Sequence, residues 1–481
     1  MWQSPTCNVC KCKLSLWLTF LVVTPPFISV VDSLMLMESM LIMKRLIILL
    51  LAHHLPVLEA KIGFVKDLSM DAQFPGPVYR QAASLPEGHM RPLGWQRRPD
   101  GPITEEPEMP ATKEFFENYV SSDKPGVFRN AVSNAPAFTT WQDDKYLTEK
   151  YGDLKMAVRV KVARRRDKIE STVQIMKFKK FLYDYMYDEL YLASVIPRAM
   201  MDELPLPKCI RCGTISERYH SAQLWMSSGG TSSRIHSHDN HLLHCVLFGR
   251  RDFILIEGKH KKSFDFDDEF VGSLGGHSDI NTEMINAFTY KNIARVPWIW
   301  STLYPGDCIY VPAGYIHQVR SHGRSISLTI EFIPFDRFDD NGCTLIEEEF
   351  IPLSEGSFLL SFEDGRLHLT ETNWNEEDVR QLLILLMGKT DSLTVYKFEN
   401  FYKDILGEVE EVPDPIRVFE FLTLEDETEI TRKDILSLPH EALQKIADIF
   451  NSAYKDIDRY ADKEKSENNE DNIKRYRHEE F

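Results

Sequence analysis

Leu224–Ile256 reads LWMSSGGTSSRIHSHDNHLLHCVLFGRRDFILI. Three runs, Leu224–Met226, Leu242–Phe248 and Asp252–Ile256, have strand length and are separated by segments rich in Ser and Gly. Gly229 and Gly230 allow backbone angles that other residues avoid. His236, His238, His241 and His244 follow. His236 and His238 are two apart, so on a strand both imidazoles face one side and can meet at one ion. His241, at odd spacing from His236, should face the other way. His244 lies too far along the strand for the same ion. Both are expected to be hydrogen-bonded structural histidines.

The second half of the site lies at Tyr304–Val319, YPGDCIYVPAGYIHQV. Pro305-Gly306-Asp307 reads as a turn, Cys308–Val311 as a short strand and Pro312-Ala313-Gly314 as another turn. A further strand starts at Ile316-His317-Gln318-Val319, and Ser325–Phe332 alternates as a last one. A turn, strand, turn and His that return to an earlier strand pair can close a metal site from the opposite side.

With these residues the sequence resembles the JmjC (cupin-like) branch of the Fe(II)- and 2-oxoglutarate-dependent oxygenases. Members typically carry H-x-D/E after a small-residue turn, an apolar strand ending in G-x-K, and later P-G-D-x-x-x-x-P-x-x-x-x-H. His236, Gly249, Asp307, Pro312, Gly314 and His317 match those positions. The resemblance runs from about Thr112 to Phe335. It includes Thr112–Val120 as a helix, Pro125-Gly126-Val127-Phe128-Arg129 as turn and strand, Trp141–Leu147 opening a second helix, and Met156–Val162 as a strand. Phe178–Tyr187 reads as an aromatic-rich core helix.

The resemblance implies a double-stranded β-helix (jelly-roll, cupin) barrel with flanking helices, and the residues after it read as a small all-α carboxy-terminal domain, an α+β chain in all. It implies Fe(II) held by His236, His238 and His317, and 2-oxoglutarate as cosubstrate. One position departs from the pattern. The family carboxylate falls on His238, and Asp239 is one residue off, so in a regular strand it faces away. A neutral imidazole in place of an anion raises the charge of the iron site by one unit, although imidazole suits iron. An active oxygenase and a catalytically inactive binding or scaffold protein both remain open. The cosubstrate lysine falls on Arg251, which can grip a carboxylate bidentately. Ser233, three residues before His236, falls where relatives often place a hydroxyl on the same carboxylate.

The chain of 481 residues has a formal net charge of -17 and a pI of about 5.4, which excludes non-specific nucleic-acid binding. Residues 1–60 read as a targeting region. Met43-Lys44-Arg45 precedes a short apolar run, with a small residue at Ala60 for secretory cleavage. The run is too short for an ordinary membrane span. The last residues, His478-Glu479-Glu480-Phe481, resemble a loose retrieval signal. The expected location is the endoplasmic reticulum lumen or outside the cell.

Residues 61–111 form a Pro-rich strap or linker, 112–340 the cupin-like domain, 341–372 a connection, 373–460 a helical domain and 461–481 a charged tail. Arg164-Arg165-Arg166 reads as a solvated loop. Cys209-Ile210-Arg211-Cys212 lacks a second pair for zinc and reads as structural or as free thiols, with Cys245 and Cys308 as small buried residues. The long connection 257–303 holds His277 and Asp279, expected to be solvated, and Pro297–Trp300, expected at the pocket mouth. The helical domain resembles a paired EF-hand. With Ile430 at loop position 8, Thr423 takes position 1, Thr428 position 6 and Asp434 position 12, so the usual Asp, Gly and Glu are missing. Calcium binding is not expected. A protein substrate is the expected partner.

Overall fold

A computed structural model describes residues 73–453, apart from 77–83, 165–168, 218, 267–274, 335–336, 341, 344–349, 371–372, 407–411 and 424–426. The targeting region, the charged tail and Arg165-Arg166 lie outside the described residues. Among the described residues no helix is long and apolar enough to cross a membrane.

Among the described residues one mixed sheet of 14 strands dominates. In order they are β1 (Gly101–Pro102), β2 (Glu105–Glu106), β3 (Gly126–Phe128), β4 (Lys155–Arg164), β5 (Ile169–Lys177), β6 (Leu190–Val195) and β7 (Tyr219–Ser227). Then come β8 (Thr231–Ser232), β9 (Ile235–Ser237), β10 (His241–Ile256), β11 (Gly276–Ser278), β12 (Ile299–Leu303), β13 (Cys308–Val311) and β14 (Ile316–Phe332). The main path runs β2-β3-β13-β10-β14-β7-β6-β4-β5, consistent with the jelly-roll cupin fold but not a closed ring of strands.

Two pairs of expected strands are each one continuous strand. The spans 242–248 and 252–256 merge in β10, and 316–319 and 325–332 merge in β14. The two long strands pair along almost their whole length, with the register slipping between Val246, Phe248 and Arg250. Gly249 permits that slip: its φ is +80°, and a Cβ there would lie 2.3 Å from the Arg324 carbonyl oxygen. Each long strand thereby serves both walls. The first half of β10 pairs with β13 and the second half with β12.

Alternation sorts the side chains into two cores. Leu243, Cys245, Ile326, Leu328, Ile330 and Phe332 face out and are covered by Phe115, Trp141 and Phe178 of the preceding lobe. Leu242, Val246, Phe253, Leu255 and Val319 face in and fill one end of the fold. The aromatic helix is shorter than expected, Phe178–Asp184. It buries Phe178, Phe181 and Leu182, while Tyr183 and Tyr187 are exposed. Strands β5 and β6 were not expected, and Arg164, read with its neighbours as a solvated loop, ends β4.

The strap docks as an element of the fold. Leu93 is buried with Ile254 and Trp298, Arg320 donates to the Leu93 carbonyl, and β1 runs parallel to β12. Trp298 is buried, and Trp300 meets Phe74 edge-on at 5.7 Å. Asp307 closes its own turn by accepting from the Tyr304 N–H at 3.0 Å. It also accepts from the Asn130 N–H at 3.2 Å and pairs with Arg129. The P-G-D and P-G-V-F-R motifs are thus two halves of one contact.

The cysteines correct the sequence reading. Cys212 is disulfide-bonded to Cys343, 131 residues away, and not to Cys209, which is a buried thiol. Cys245 is bonded to Cys308 across the β10–β13 pair, where the two are in register.

The helical domain has its own core, including Trp374, Leu383, Phe398, Tyr402, Leu443 and Phe450. Its two helix–loop–helix units join through strands β17 (Ser392–Thr394) and β18 (Glu429–Thr431), with Leu393 opposite Ile430. The hairpin of β15 (Leu360–Glu363) and β16 (Arg366–Leu369) precedes it.

Candidate metal centre

β9 and the start of β14 run side by side with His236 opposite His317. Directly opposed residues share a face of the sheet, and His238 rejoins that face two residues after His236. The ring centroids lie 4.0 Å apart for His236 and His317, 5.2 Å for His236 and His238, and 5.5 Å for His238 and His317. The potential donor atoms all fall within 4.8 Å of one another. The three residues that the resemblance assigns to the metal are therefore brought together.

The backbone sets the tautomers. Nδ1 of His236 lies 2.9 Å from the Arg234 carbonyl oxygen, and Nδ1 of His317 lies 3.1 Å from that of Tyr315. A carbonyl only accepts, so each Nδ1 carries the proton and each Nε2 keeps its lone pair for a ligand bond. Burial, then the neighbouring His317 and His238 rings, hold His236 well below the usual imidazole value. Burial, then the His238 ring, bring His317 down to about 3. Both rings are neutral at physiological pH, the state that binds metal. Three neutral imidazoles suit a first-row transition metal and not calcium or magnesium, which take oxygen ligands. The residues present fit iron.

His238 has an anion behind it. Its Nδ1 lies 3.5 Å from Oε1 of Glu331, which is 4 % exposed near the end of β14. Glu331 also accepts from Gln223 Nε2 at 2.6 Å and Asn240 Nδ2 at 3.1 Å, with His220 Nδ1 at 3.4 Å. Burial alone would raise this carboxyl. The nearby His220 and His238 rings and the Asn240 amide donor outweigh it and bring it to about 2. The negative charge missing from the ligand set is thus present one residue further out. Asp239 does turn away from the rings. Its Oδ1 accepts from the Gly275 N–H at 3.2 Å, and its Oδ2 lies 3.1 Å from Lys397 Nζ.

The other histidines are hydrogen-bonded as expected. Nδ1 of His241 meets the Tyr310 hydroxyl at 2.5 Å on the outer face, and Nδ1 of His244 meets Thr329 Oγ1 at 2.7 Å. The connection 257–303 departs from expectation. Asp279 pairs with Arg234 at 2.8 Å, and His277 on β11 stands opposite His236, so both belong to the border of the site.

Arg251 is fully buried and faces inward, whereas its neighbour Arg250 pairs with Asp252. Nη1 of Arg251 donates to the Tyr191 hydroxyl at 2.9 Å and Nη2 to the Trp225 carbonyl at 3.2 Å. Its Nε is buried without a partner, and among the described residues no carboxylate pairs with the guanidinium. A buried cation with only neutral partners is costly, and an incoming carboxylate would satisfy it. The hydroxyls of Ser325 and Ser327 are likewise buried and unpartnered. These groups fit 2-oxoglutarate. Ser233 is less free than the sequence implies, because its Oγ already accepts from the Val319 N–H at 2.9 Å.

Sequence reasoning missed Glu331, Tyr191 and Trp225. A signal for Glu331 existed: Ser325, Ser327, Thr329 and Glu331 alternate with Ile326, Leu328, Ile330 and Phe332, which marks an inward polar row. Tyr191 and Trp225 carry no motif and are identified only by their contact with Arg251.

Comparison with known proteins agrees with this geometry. The family described as cupin-like domain matches residues 112–336. Jumonji C domain-containing protein 5 of Drosophila melanogaster is 26% identical over 237 residues, 46% of this chain and 58% of that protein. JmjC domain-containing protein D of Dictyostelium discoideum is 24% identical over 251 residues, 46% of this chain and 54% of its own length. A lysine-specific demethylase of Arabidopsis thaliana, JMJ31, is 24% identical over 160 residues, 30% of this chain and 28% of its own length. The first two relatives are thus matched over little more than half their length. Residues 112–336 are thus a cupin-like domain similar to those of JmjC proteins, a family whose members are typically Fe(II)- and 2-oxoglutarate-dependent oxygenases.

Proposed function

We propose that this protein is an Fe(II)- and 2-oxoglutarate-dependent oxygenase that hydroxylates a protein side chain in the secretory pathway. The observation that carries the reading is the convergence of His236, His238 and His317 with their ligand nitrogens freed by backbone carbonyls. Iron and 2-oxoglutarate, when bound, supply oxidising power from O₂ as the cosubstrate becomes succinate and CO₂. The chain supplies ligation and order. The three histidines hold the metal. Glu331 fixes the His238 ring and offsets the lost ligand charge. Arg251, oriented by Tyr191, holds the distal carboxylate of the cosubstrate, and the apolar inner core below excludes water.

A second reading, a binding or scaffold protein without turnover, is favoured by one observation, the imidazole at position 238 in place of a carboxylate. Comparing oxygen-dependent 2-oxoglutarate consumption by the native chain and by His238→Asp separates the two. The native chain is expected to turn over, and His238→Asp to change the rate without creating it. Turnover in His238→Asp alone would establish the second reading. The substrate would then be sought as secretory proteins that gain one oxygen atom in mass on incubation with the active chain.

The secretory location is supported by the two disulfides, which persist in oxidising compartments. Peptide mapping of protein from eukaryotic cells, with thiols blocked at lysis, is expected to recover the linked pairs 212–343 and 245–308. Free thiols at all four positions would contradict the location.

A further inference from the structure

In a paired EF-hand the two loops touch through their eighth positions, and the twelfth residue supplies the last carboxylate to calcium. Here the touching residues are Leu393 and Ile430. Counting four on from each gives Lys397 and Asp434. Asp434 is used as a helix cap, accepting from the Thr431 N–H at 3.0 Å. Lys397 brings a cation of its own. Its ammonium donates to the Met387 carbonyl at 3.2 Å, across the first loop, and reaches Oδ2 of Asp239 at 3.1 Å. Asp239 follows the metal-binding candidate His238 directly.

The contact has the features of a fitted joint. The Lys397 and Asp239 side chains are 19% and 17% exposed, so water screens the pair only in part. Gly388 closes the same approach. A Cβ there would lie 3.3 Å from the Asp239 carbonyl oxygen, and its φ of +64° disfavours other residues. The loop 238–240 is held from three further sides. The Gly314 N–H donates to the His238 carbonyl at 2.8 Å, the Gly275 N–H to Asp239, and Asn240 donates to Glu331.

We propose that the helical domain is a brace for the metal loop. Lys397 acts as a positioning residue that fixes the 238–240 backbone through Asp239, and a built-in ammonium occupies the role that a bound calcium ion plays in a working EF-hand. The inference rests on His238 being a metal ligand. It gives the degenerate loop a purpose, because the substitution that removes the twelfth-position carboxylate is the one that supplies the strut.

The test compares the native full-length chain with Lys397→Met, Lys397→Arg and Asp239→Asn. Amide hydrogen exchange is followed over residues 236–242 in metal-free protein, and Fe(II) affinity is measured anaerobically by chelator competition. Lys397→Met and Asp239→Asn are expected to speed exchange in that segment and to weaken iron about tenfold, the size of a loss in ligand support. Lys397→Arg is expected to restore most of both. Excess calcium or its removal by chelator is expected to change neither. Unchanged exchange in a folded Lys397→Met protein overturns the brace, as does any dependence on calcium. Because exchange is read without metal, failure of the native chain to bind iron refutes the metal centre separately.

Discussion

His317→Ala abolishes iron binding while leaving the fold intact, with affinity expected to fall by more than about 100-fold, beyond the loss typical of an outer partner. The ring sits opposite His236 in register and is the only one of the three supplied by the distal motif. Its removal leaves two ligands on one short segment, which cannot close the site. The same substitution has a signature in the pH dependence of metal-free stability. The native His317 ring is held near pH 3 by burial and the His238 ring, while in the unfolded chain it titrates at the ordinary imidazole value. The unfolded state therefore binds more protons between those values, and native stability falls as pH drops from about 6.5 towards 3. His317→Ala removes that part of the loss, so its stability declines less steeply over the window. Anaerobic iron titration and denaturant melts at several pH values check both statements. Retained affinity, or an unchanged slope, would remove His317 from the site.

Arg251→Met is expected to weaken 2-oxoglutarate by on the order of 100-fold while costing little stability. The affinity loss follows from truncating one partner of a buried charge pair. The small stability cost follows because the guanidinium has no carboxylate partner among the described residues, so its replacement relieves an uncompensated burial even as two neutral hydrogen bonds disappear. Arg250→Met offers the contrast. That side chain pairs with buried Asp252, so its loss leaves the anion only Thr302 and His322 as partners among the described residues and destabilises the fold, with no direct effect on cosubstrate. Equilibrium binding of 2-oxoglutarate to the iron-loaded protein, beside thermal melts of both variants, measures the difference. An Arg251→Met protein that binds cosubstrate normally but melts far earlier would make Arg251 a structural residue.

The parts of this molecule legible in the sequence are those specified by local pattern. His236 and His238 are two apart on one strand, and His317 follows two turn motifs that match the family pattern, so spacing together with the resemblance marked all three. The alternation of β14 gave its register, though not its continuity with the residues before it, because Gly323 and Arg324 look like a break while the structure carries the strand through them. Partners distant in sequence were hidden. Cys212 and Cys343 are separated by 131 residues, and nothing local distinguishes that pairing from one with Cys209. Glu331 reaches His238 across the fold, and Lys397 reaches Asp239 from another domain, so both required the tertiary arrangement. The connection 257–303 misled most, since His277 and Asp279 have the composition of a solvated insert but belong to the border of the site.

The most direct measurement loads residues 61–481 anaerobically with Fe(II) and 2-oxoglutarate, admits oxygen, and quantifies bound iron and succinate in the same sample, beside His317→Ala. One iron per chain with oxygen-dependent succinate, both absent in His317→Ala, is the predicted result. A native chain that holds no iron and forms no succinate would contradict the three-histidine oxygenase outright.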